Sequence, residues 1–439
     1  MKGCKNGMVG NLLIRNGCIL DPEKEFGYVA DVLIEDGIIK EIGKKINVPK
    51  IKKIDAAGLC VCPGLVDMHV HFREPGFTHK EDIFSGSAAA AKGGFTSVAT
   101  MPNTFPAVDN VETIKHILKK ISKADVKIYI IGAITKALKG EELCDFEMLK
   151  DAGVIGFSDD GRPVLKSSQM AEAMKEIYKL GLFVTAHCED IDLASDGIIN
   201  DGKMSEFLNV KGISAAAEEV GIAREIALAC AYKTPVHIAH VSTKNSVDMI
   251  RNAKERNIKV TCETAPHYFT FTEEDLLKRD ANFRMNPPLR TEEDKNAIIE
   301  GIIDGTIDVI ATDHAPHTKD EKADFIAAPN GVIGLETSLA ASVTALVKTG
   351  CVSTERLIRL LSKNPAKIMN INAGTLNVGD AGDICIFAEN EKVLIEEDNF
   401  VSASSNSPFI GQELFGSVKY TIRDGRIIYK NKIKKQKRI

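Results

Sequence analysis

The sequence has no tryptophan, no long apolar run and no large excess of either charge. Without an apolar stretch of about 20 residues, we expect no membrane-spanning helix. The net charge of −5, from 56 basic and 61 acidic residues, does not favour binding to nucleic acid or to an anionic membrane. The N-terminal MKGCKNGMVGN lacks the apolar core of a signal peptide. We therefore expect a cytoplasmic protein.

The cysteines lack the spacing of a metal or redox motif. Ten are present, and none forms a Cys-x-x-Cys pair, which is typical of a reduced protein with structural thiols. Cys60 and Cys62 are close in sequence, but two sulfur atoms alone do not make a zinc site. The basic C-terminal YKNKIKKQKRI is interpreted as a solvated tail.

Both ends of the chain alternate short apolar runs with turn signals. Residues 11–62 contain LLIRNGCIL and DVLIEDGIIKEIG, in which Asn-Gly and Asp-Gly are hairpin signals. Residues 374–430 have the same texture, in AGDICIF and SVKYTIRDGRIIYK. Neither end is long enough to bury much core alone. We therefore predict one small β-sandwich domain, built from residues 1–62 and 374–439.

Apolar strand candidates alternate with helix-length segments in the middle of the chain. The eight candidates are residues 65–71, 95–100, 126–132, 153–157, 181–187, 235–240, 258–263 and 307–312. Strands that are apolar on both faces, each followed by a helix, pair in parallel. Eight such units predict an α/β fold, a (β/α)8 TIM-like barrel over residues 63–373, with its site at the carboxyl ends of the strands.

Metal-ligand residue types collect where these predicted strands end. Four histidines and two aspartates lie at five of the eight ends, namely His69, His71, Asp160, His187, His240 and Asp313. Each histidine alone could be a core residue, but buried imidazoles need partners, and together the six favour a metal centre. Six ligands exceed the needs of one tetrahedral zinc, so a two-metal centre fits better. Mixed His and Asp ligation suits Zn²⁺ most, although Mn²⁺ or Co²⁺ could substitute.

Two of these positions have a close competitor. His237 lies three residues before His240, so only one of them can point into the mouth of the barrel if the strand alternates regularly. We choose His240, which is nearer the end of the strand, and expect His237 to pack under a helix. Asp159 competes with Asp160, and the residues alone leave that choice open.

A set of motifs spans the barrel in a recognisable order. They are PGLVDMHVHFREPG (63–76), MPNT (101–104), GFSDDG (156–161), AHCED (186–190), HIAHVST (237–243), MNPPLR (285–290) and ATDHAPH (311–317). Together they resemble the motifs of bacterial class I dihydroorotases, which belong to the amidohydrolase superfamily. The split β-domain is also a trait of that family.

The resemblance implies an activity and a mechanism. Dihydroorotases reversibly cyclise N-carbamoyl-L-aspartate to L-dihydroorotate and water, the third step of de novo pyrimidine biosynthesis. The resemblance implies two zinc ions per subunit, held by the six ligand candidates, with Asp160 rather than Asp159 as the bridging carboxylate. A hydroxide between the zinc ions would attack the ring carbonyl, with Asp313 as general acid and base.

The resemblance also implies which residues hold the substrate. They are His71, Arg73, Asn103, Asn286 and His317. A guanidinium can grip a substrate carboxylate through two parallel bonds, and an amide can donate to a carboxylate or read the ring amide. Arg73 could instead pair with Glu74 or Glu81, and Asn103 could cap a turn before the next helix.

The polar segment 316–331 and His314 have two interpretations each. The segment is either a loop that closes over substrate, with backbone contacts from Asn330 and Gly331, or an ordinary surface loop. His314 either orients Asp313 or merely packs.

Two other functions compete with the dihydroorotase prediction. Hydantoinases and dihydropyrimidinases resemble this chain but bridge their metals with a carboxylated lysine on the fourth strand, where this chain reads GVIGFSDDG. Lys136 follows the third strand and is interpreted as a solvated loop charge. A non-catalytic scaffold homologue would have lost ligands, and none is lost here. The resemblance further implies a homodimer and an association with aspartate carbamoyltransferase.

Overall fold

The structure is a computed structural model that describes residues 10–24 and 26–431. The interpretations of residues 1–9 and of the basic tail beyond residue 431 fall outside the described residues. In the described part of the chain, no helix combines the length and the hydrophobicity needed to cross a bilayer.

The strands form two large sheets and one short pair. In chain order they are β1 Leu12–Ile19, β2 Tyr28–Glu35, β3 Ile38–Gly43, β4 Lys52–Asp55, β5 Cys60–Pro63, β6 Leu65–Val70, β7 Phe95–Thr100, β8 Lys127–Ala133, β9 Val154–Ser158, β10 Phe183–Ala186, β11 Ile199–Asn200, β12 Gly212–Ile213, β13 Val236–Ile238, β14 Val260–Thr264, β15 Val309–Ile310, β16 Ile384–Leu394, β17 Glu413–Arg423 and β18 Arg426–Lys430.

The helices mostly follow the barrel strands. In chain order they are α1 Ile83–Lys92, α2 Val111–Ile121, α3 Phe146–Ala152, α4 Ser167–Lys179, α5 Ile191–Ala194, α6 Lys203–Leu208, α7 Ala215–Tyr232, α8 Lys244–Glu255, α9 Glu292–Asp304, α10 Ser338–Ser342, α11 Thr354–Ile358 and α12 Asn364–Ile368. Short π-helical segments, Val343–Val347 and Arg359–Lys363, continue α10 and α11. Single 3-10 turns lie at Lys136–Leu138, Pro266–Phe269, Glu273–Lys278, Ala281–Phe283 and Glu397–Asn399.

Eight parallel strands form the barrel. Strands β6 to β10 and β13 to β15 pair in sequence order, and each overlaps one predicted strand candidate. The barrel closes between its last and first strands, where Val70 bridges His314 in parallel and the His71 N–H donates to the His314 carbonyl at 2.9 Å. The predicted (β/α)8 fold is confirmed.

The barrel strands are apolar on both faces because both faces are covered. Ile128 and Ile130 of β8 belong to the same apolar cluster as Ile114 and Ile117 of α2. Residues of the opposite parity, such as Ile131, belong to a separate cluster inside the barrel. Two-sided burial is the reason why the strands could be recognised as continuous apolar runs.

The two ends of the chain build one β region, as predicted, and its strands form a single sheet. Its strand order is β18-β17-β16-β5-β1-β2-β3, and β4 pairs with β1. The ends meet where β16 runs antiparallel to β5, with Ile384 opposite Pro63 and Phe387 opposite Cys60. The boundaries at residues 62/63 and 373/374 stay predictions.

Candidate active site

The six predicted metal-ligand side chains are buried at the carboxyl ends of the barrel strands. Two groups of three could each hold a metal ion, and they share Asp160. One group adds His69 and His71, and the other adds His187 and His240. Within each group, the ligand atoms lie within 4.8 Å of one another.

Asp160 presents its two oxygen atoms to different histidines. Its Oδ1 lies 3.3 Å from Nε2 of His69 and 3.7 Å from Nε2 of His240. Its Oδ2 lies 3.4 Å from Nε2 of His71. Among the described residues, neither Asp160 Oδ1 nor His69 Nε2 has a hydrogen-bond partner, although both atoms are buried. Because buried polar atoms without partners are costly, and because a cation would satisfy both, these residues fit a metal ion.

Asp313 joins the group that contains His69 and His71. Its Oδ1 lies 3.0 Å from Nε2 of His71 and 3.5 Å from Nε2 of His69. Burial alone would raise the pKa of Asp313, but the two neighbouring histidines hold it well below its usual range. The carboxylate is therefore ionised at neutral pH.

Three residues at the mouth of the barrel have a positive φ, a backbone conformation that residues other than glycine rarely adopt. Arg73, His240 and Asp313 have φ values of 58°, 31° and 47°. Such strain persists only where the surroundings impose it, and it clusters at functional sites.

His237 corrects the prediction made from strand alternation. Strand β13 ends at Ile238, and the left-handed backbone at His240 breaks the alternation that separated the two histidines. His237 faces the barrel interior, with Nδ1 2.9 Å from Thr261 Oγ1 and Nε2 3.2 Å from Glu263. The prediction that His237 packs under a helix is wrong.

Asp159 and Asp160 have different surroundings. Asp159 Oδ1 accepts from the N–H groups of Ile134 at 2.7 Å and Thr135 at 3.0 Å, and its Oδ2 accepts from the Thr135 hydroxyl. These bonds hold Asp159 against the loop after β8. The structure brings Asp160, rather than Asp159, to the histidines.

Arg73 is a half-buried cation two residues after His71. Its Nε donates to the Pro316 carbonyl at 3.2 Å, and its Nη2 lies 3.3 Å from His317 Nε2. Glu74 and Glu81 bond to other groups instead, so the alternative pairing of Arg73 with either glutamate is wrong. Burial lowers the pKa of Arg73 to about 10, which still leaves it charged at neutral pH.

Both asparagines of the predicted substrate set bond to the ligand histidines or their partners. Asn103 Oδ1 lies 2.8 Å from Nδ1 of His71, and the cap of α2 is Asn110, so Asn103 does not cap that helix. Asn286 Nδ2 donates to Glu189 at 3.0 Å. Each amide is therefore held in place at the edge of the cluster.

The backbone groups of Asn330 and Gly331 are engaged within the protein. The Asn330 carbonyl lies 3.0 Å from His317 Nε2. The Gly331 N–H donates to the Arg284 carbonyl at 3.0 Å, and the Gly331 carbonyl accepts from two side chains. Both residues thus help to build the loop, and their contact with a substrate stays a prediction.

Comparisons with known proteins agree with this geometry. A family model described as Dihydro-orotase-like matches residues 58–246. The dihydroorotase of Acetivibrio thermocellus is 48% identical over 425 residues, which cover 96% of this chain and 100% of that protein. The chain belongs to the dihydroorotase family. A second dihydroorotase, from Ruminiclostridium cellulolyticum, is 49% identical over 96% of this chain and 99% of its own length.

Solved structures of related hydrolases share the fold of this dihydroorotase-family chain. The L-hydantoinase (dihydropyrimidinase) from Arthrobacter aurescens superimposes with a TM-score of 0.85 at 26% identity, over 96% of both chains. The dihydropyrimidinase from Brevibacillus agri NCHU1002 gives 0.85 at 24% identity, over 96% of this chain and 95% of its own. At that identity, the second likeness shows the fold alone.

Lys136 is exposed and pairs with Glu142, which agrees with its interpretation as a solvated loop charge.

Two glutamates that the sequence analysis missed orient the histidines of this dihydroorotase-family site. Glu263 Oε1 lies 2.6 Å from Nδ1 of His69, and Glu189 Oε2 lies 3.1 Å from Nε2 of His187. A carboxylate on the far nitrogen fixes the ring orientation and tautomer of a ligand histidine. Glu263 ends the seventh predicted strand and Glu189 follows the fifth. The strand-end rule that found the six ligands could therefore have found both.

The His314 ring bonds to groups other than the Asp313 carboxylate. Its Nδ1 accepts from the Gly334 N–H at 3.2 Å, its Nε2 lies 3.4 Å from Glu81, and its ring packs edge-on against Phe72. The interpretation of His314 as a packing residue is the one that fits.

Proposed function

We propose that this chain is a dihydroorotase, which interconverts N-carbamoyl-L-aspartate and L-dihydroorotate in pyrimidine biosynthesis. The observation that carries the proposal is Asp160, whose two oxygens face different histidines at the end of β9. At that place, the family resemblance predicts an aspartate for dihydroorotases and a carboxylated lysine for hydantoinases. Identity near 48% to dihydroorotases over almost the whole chain supports the same activity.

We infer two zinc ions per subunit. They would be held by His69, His71, Asp160, His187, His240 and Asp313, with Asp160 shared between them. Imidazole and carboxylate donors suit zinc best among common divalent ions. When bound, the ions would lower the pKa of a water molecule and polarise a carbonyl group.

Asp313 would hold and move the proton. In the biosynthetic direction, the terminal ureido nitrogen would attack the side-chain carboxylate carbon, a C–N bond would form and a C–O bond would break. Asp313 would accept the proton that the nitrogen loses and donate it to the departing oxygen, which takes up a second proton from solvent and leaves as water. In hydrolysis, the same carboxylate would take a proton from water and give it to the leaving ring nitrogen.

Arg73 would bind a substrate carboxylate. Its Nε is fixed by the Pro316 carbonyl, so the two Nη groups can meet a carboxylate through parallel charge-assisted bonds. Asn103 and Asn286 would present amide groups to the rest of the substrate, beside His317. The dihydroorotase assignment thus gives Arg73, Asn103, Asn286 and His317 each a substrate contact.

The family relationship implies a small-molecule substrate. We further propose a cytoplasmic homodimer that associates with aspartate carbamoyltransferase; the resemblance supports the two associations, and the cysteine pattern supports a reduced compartment. Sedimentation of the protein, alone and mixed with the carbamoyltransferase, tests both associations.

One experiment tests the function and the metal together. The purified protein is analysed for metal by mass spectrometry and assayed for N-carbamoyl-L-aspartate cyclisation and for hydantoin hydrolysis. We expect about two zinc ions per chain, cyclisation as the preferred reaction, and recovery of activity when zinc is returned after chelation. Preferred hydrolysis of hydantoin, or zinc-loaded protein without either activity, would contradict the proposal.

A further inference from the structure

Lys322 is a buried lysine that forms no ion pair among the described residues. Its side-chain ammonium donates to the backbone carbonyls of Arg284 at 3.2 Å, Pro329 at 3.0 Å and Gly331 at 2.9 Å. The residue is 8% exposed, and the neighbouring Glu321 pairs with Lys80 instead. Burying an ammonium without a carboxylate is costly, and here three backbone carbonyls take the place of the carboxylate.

A second buried cation ties the same loop from the other side. Arg284 Nη1 donates to the carbonyls of Phe325 and Ile326, and its Nη2 donates to Asn330 Oδ1 at 3.1 Å. Loop 316–331 and the segment around Arg284 are therefore joined by two basic side chains, Lys322 from the loop and Arg284 from the segment.

Two of the carbonyl groups that Lys322 holds, those of Pro329 and Gly331, flank Asn330, whose own carbonyl faces His317. That carbonyl lies 3.0 Å from His317 Nε2, so Nε2 carries the hydrogen and donates it. His317 Nδ1 is then left to accept from Lys80 Nζ at 3.3 Å. Arg73 Nη2 lies 3.3 Å from Nε2 itself; both nitrogens are donors in this tautomer, so the guanidinium lies beside the ring without a hydrogen bond to it. The position of one carbonyl thus sets the tautomer and the place of the His317 ring, against which the guanidinium lies.

The charges around His317 keep its ring neutral. Burial, and then Arg73, Lys80 and Lys322, lower the pKa of His317 to about 3, so a single neutral tautomer is defined at neutral pH. Burial also lowers the pKa of Lys322 to about 7. Below that pH the ammonium has one N–H for each of its three carbonyl acceptors.

We propose that Lys322 is a positioning residue for carboxylate binding, which fixes the turn at 329–331, aims the Asn330 carbonyl at His317, and so places Arg73 for the substrate. The inference rests on the proposed function and specifies how the substrate carboxylate is recognised. The added positive charge also favours N-carbamoyl-L-aspartate, which carries two carboxylates.

The kinetic test compares two lysines of one loop in the zinc-loaded enzyme at pH 6. For Lys322→Met, we expect the KM for N-carbamoyl-L-aspartate to rise about tenfold, with kcat changed by less than about threefold, because ground-state binding is lost. Lys319→Met makes the same change at an exposed lysine that pairs with Glu397, and its KM should match that of the wild type. Equal KM effects in both variants, or a loss confined to kcat, would overturn the proposal.

A second measurement reads the loop without using activity. A protease that cleaves after lysine can reach Lys319, and cleavage there should be about tenfold faster in Lys322→Met, because the three bonds from the ammonium to the carbonyls of Arg284, Pro329 and Gly331 are lost. Unchanged cleavage would overturn the positioning role. Faster cleavage in a protein that does not cyclise N-carbamoyl-L-aspartate would instead overturn the proposed function and leave the loop anchor standing. If Lys322→Met does not fold, Lys322→Gln, whose amide keeps two N–H donors, replaces it.

A double-mutant cycle separates positioning from general destabilisation. If Lys322 acts through His317, then adding Lys322→Met to His317→Gln should change KM by less than about twofold. A full tenfold effect in that background would show that Lys322 acts elsewhere and would overturn the proposal.

Discussion

Three of the predicted ligand histidines each contact a second residue through the ring nitrogen that faces away from the cluster. The three pairs are His69 with Glu263, His71 with Asn103, and His187 with Glu189. Each partner limits ring rotation and selects the tautomer whose free nitrogen points to the cluster. Groups outside the cluster therefore fix the orientation of these rings, as a well-defined catalytic centre requires.

Asp313 gives the sharpest prediction at a single residue. Asp313→Asn keeps the size of the side chain but cannot carry the proton, so kcat/KM for cyclisation should fall by at least about 100-fold. Zinc content and the thermal unfolding midpoint are measured in parallel, since lost metal alone would also lower the rate. Asp320→Asn, at an exposed aspartate in the nearby loop, should leave the rate unchanged. Near-normal turnover in zinc-loaded Asp313→Asn would disprove the proton-transfer role.

At the level of elements, the sequence was sufficient to locate the barrel strands but not all of their ends. Apolar runs buried on both faces identified all eight strands, because their helices and the barrel interior both require apolar contacts. The sixth run was extended through His240, whereas β13 stops at Ile238. Strand alternation fails there because the φ of 31° at His240 is imposed by the site and has no local sequence signal.

Partners that are distant in sequence could not be predicted. Glu263 meets His69 across 194 positions, and periodicity carries no information about which carboxylate reaches which ring. Asp159 and Asp160 are chemically identical neighbours, and their roles are separated only by the backbone N–H groups of Ile134 and Thr135. The sequence could therefore supply the ligand types and strand ends, while tertiary contacts decide the pairing.

The connection between β16 and β17 supports the loop beside the site. Asn406 is buried; its Nδ2 donates to the carbonyls of Ala315 at 3.2 Å and Gly331 at 3.0 Å, and its Oδ1 accepts from the His317 N–H at 3.1 Å. One side chain thus joins the segment after β15 to the far end of loop 316–331.

Removing that side chain should affect both stability and substrate binding. Asn406→Ala leaves the Ala315 carbonyl and the His317 N–H without their partner, so the free energy of unfolding should fall by about 2 kcal/mol. KM should rise because His317 loses its backbone support. Urea unfolding and steady-state kinetics measure the two effects. Asn399→Ala, at an exposed asparagine of the same connection, is the control, and equal effects in both variants would contradict the role of Asn406.

For the whole molecule, the terminal sheet and the barrel are joined by covalent continuity and by buried polar contacts. Strand β5 ends at Pro63 and β6 begins at Leu65, so one extended segment passes from the sheet into the barrel. A Cβ on the intervening Gly64 would lie 2.1 Å from Thr96 Oγ1, which is why glycine is required there. The chain therefore crosses between the two sheets at a point with no room for a side chain.

Lys127, the first residue of β8, forms two ion pairs with the C-terminal half of the terminal sheet. Its Nζ lies 2.7 Å from Asp383 Oδ2, just before β16, and 3.0 Å from Asp424 Oδ1, in the turn between β17 and β18. Burial raises the pKa of Asp383 although Lys127 opposes that rise. The ion pair thus lets a buried carboxylate stay ionised where the sheet meets the barrel.

Lys127→Met should weaken this junction in a pH-dependent manner. At pH 7 the variant leaves Asp383 buried without its cation, and the free energy of unfolding should fall by about 1–3 kcal/mol. The pKa of Asp383 in the folded protein is already above its unfolded value and rises further without Lys127. The folded state then binds more protons than the unfolded state between those two pKa values, so stability falls as pH rises through that window. The loss should therefore be smaller at pH 4.5 than at pH 7 in urea unfolding. Lys136→Met is the control: it removes an exposed ion pair with Glu142 and should leave stability unchanged at both pH values. A pH-independent loss of stability in Lys127→Met would show that packing, rather than the buried charge, accounts for the junction.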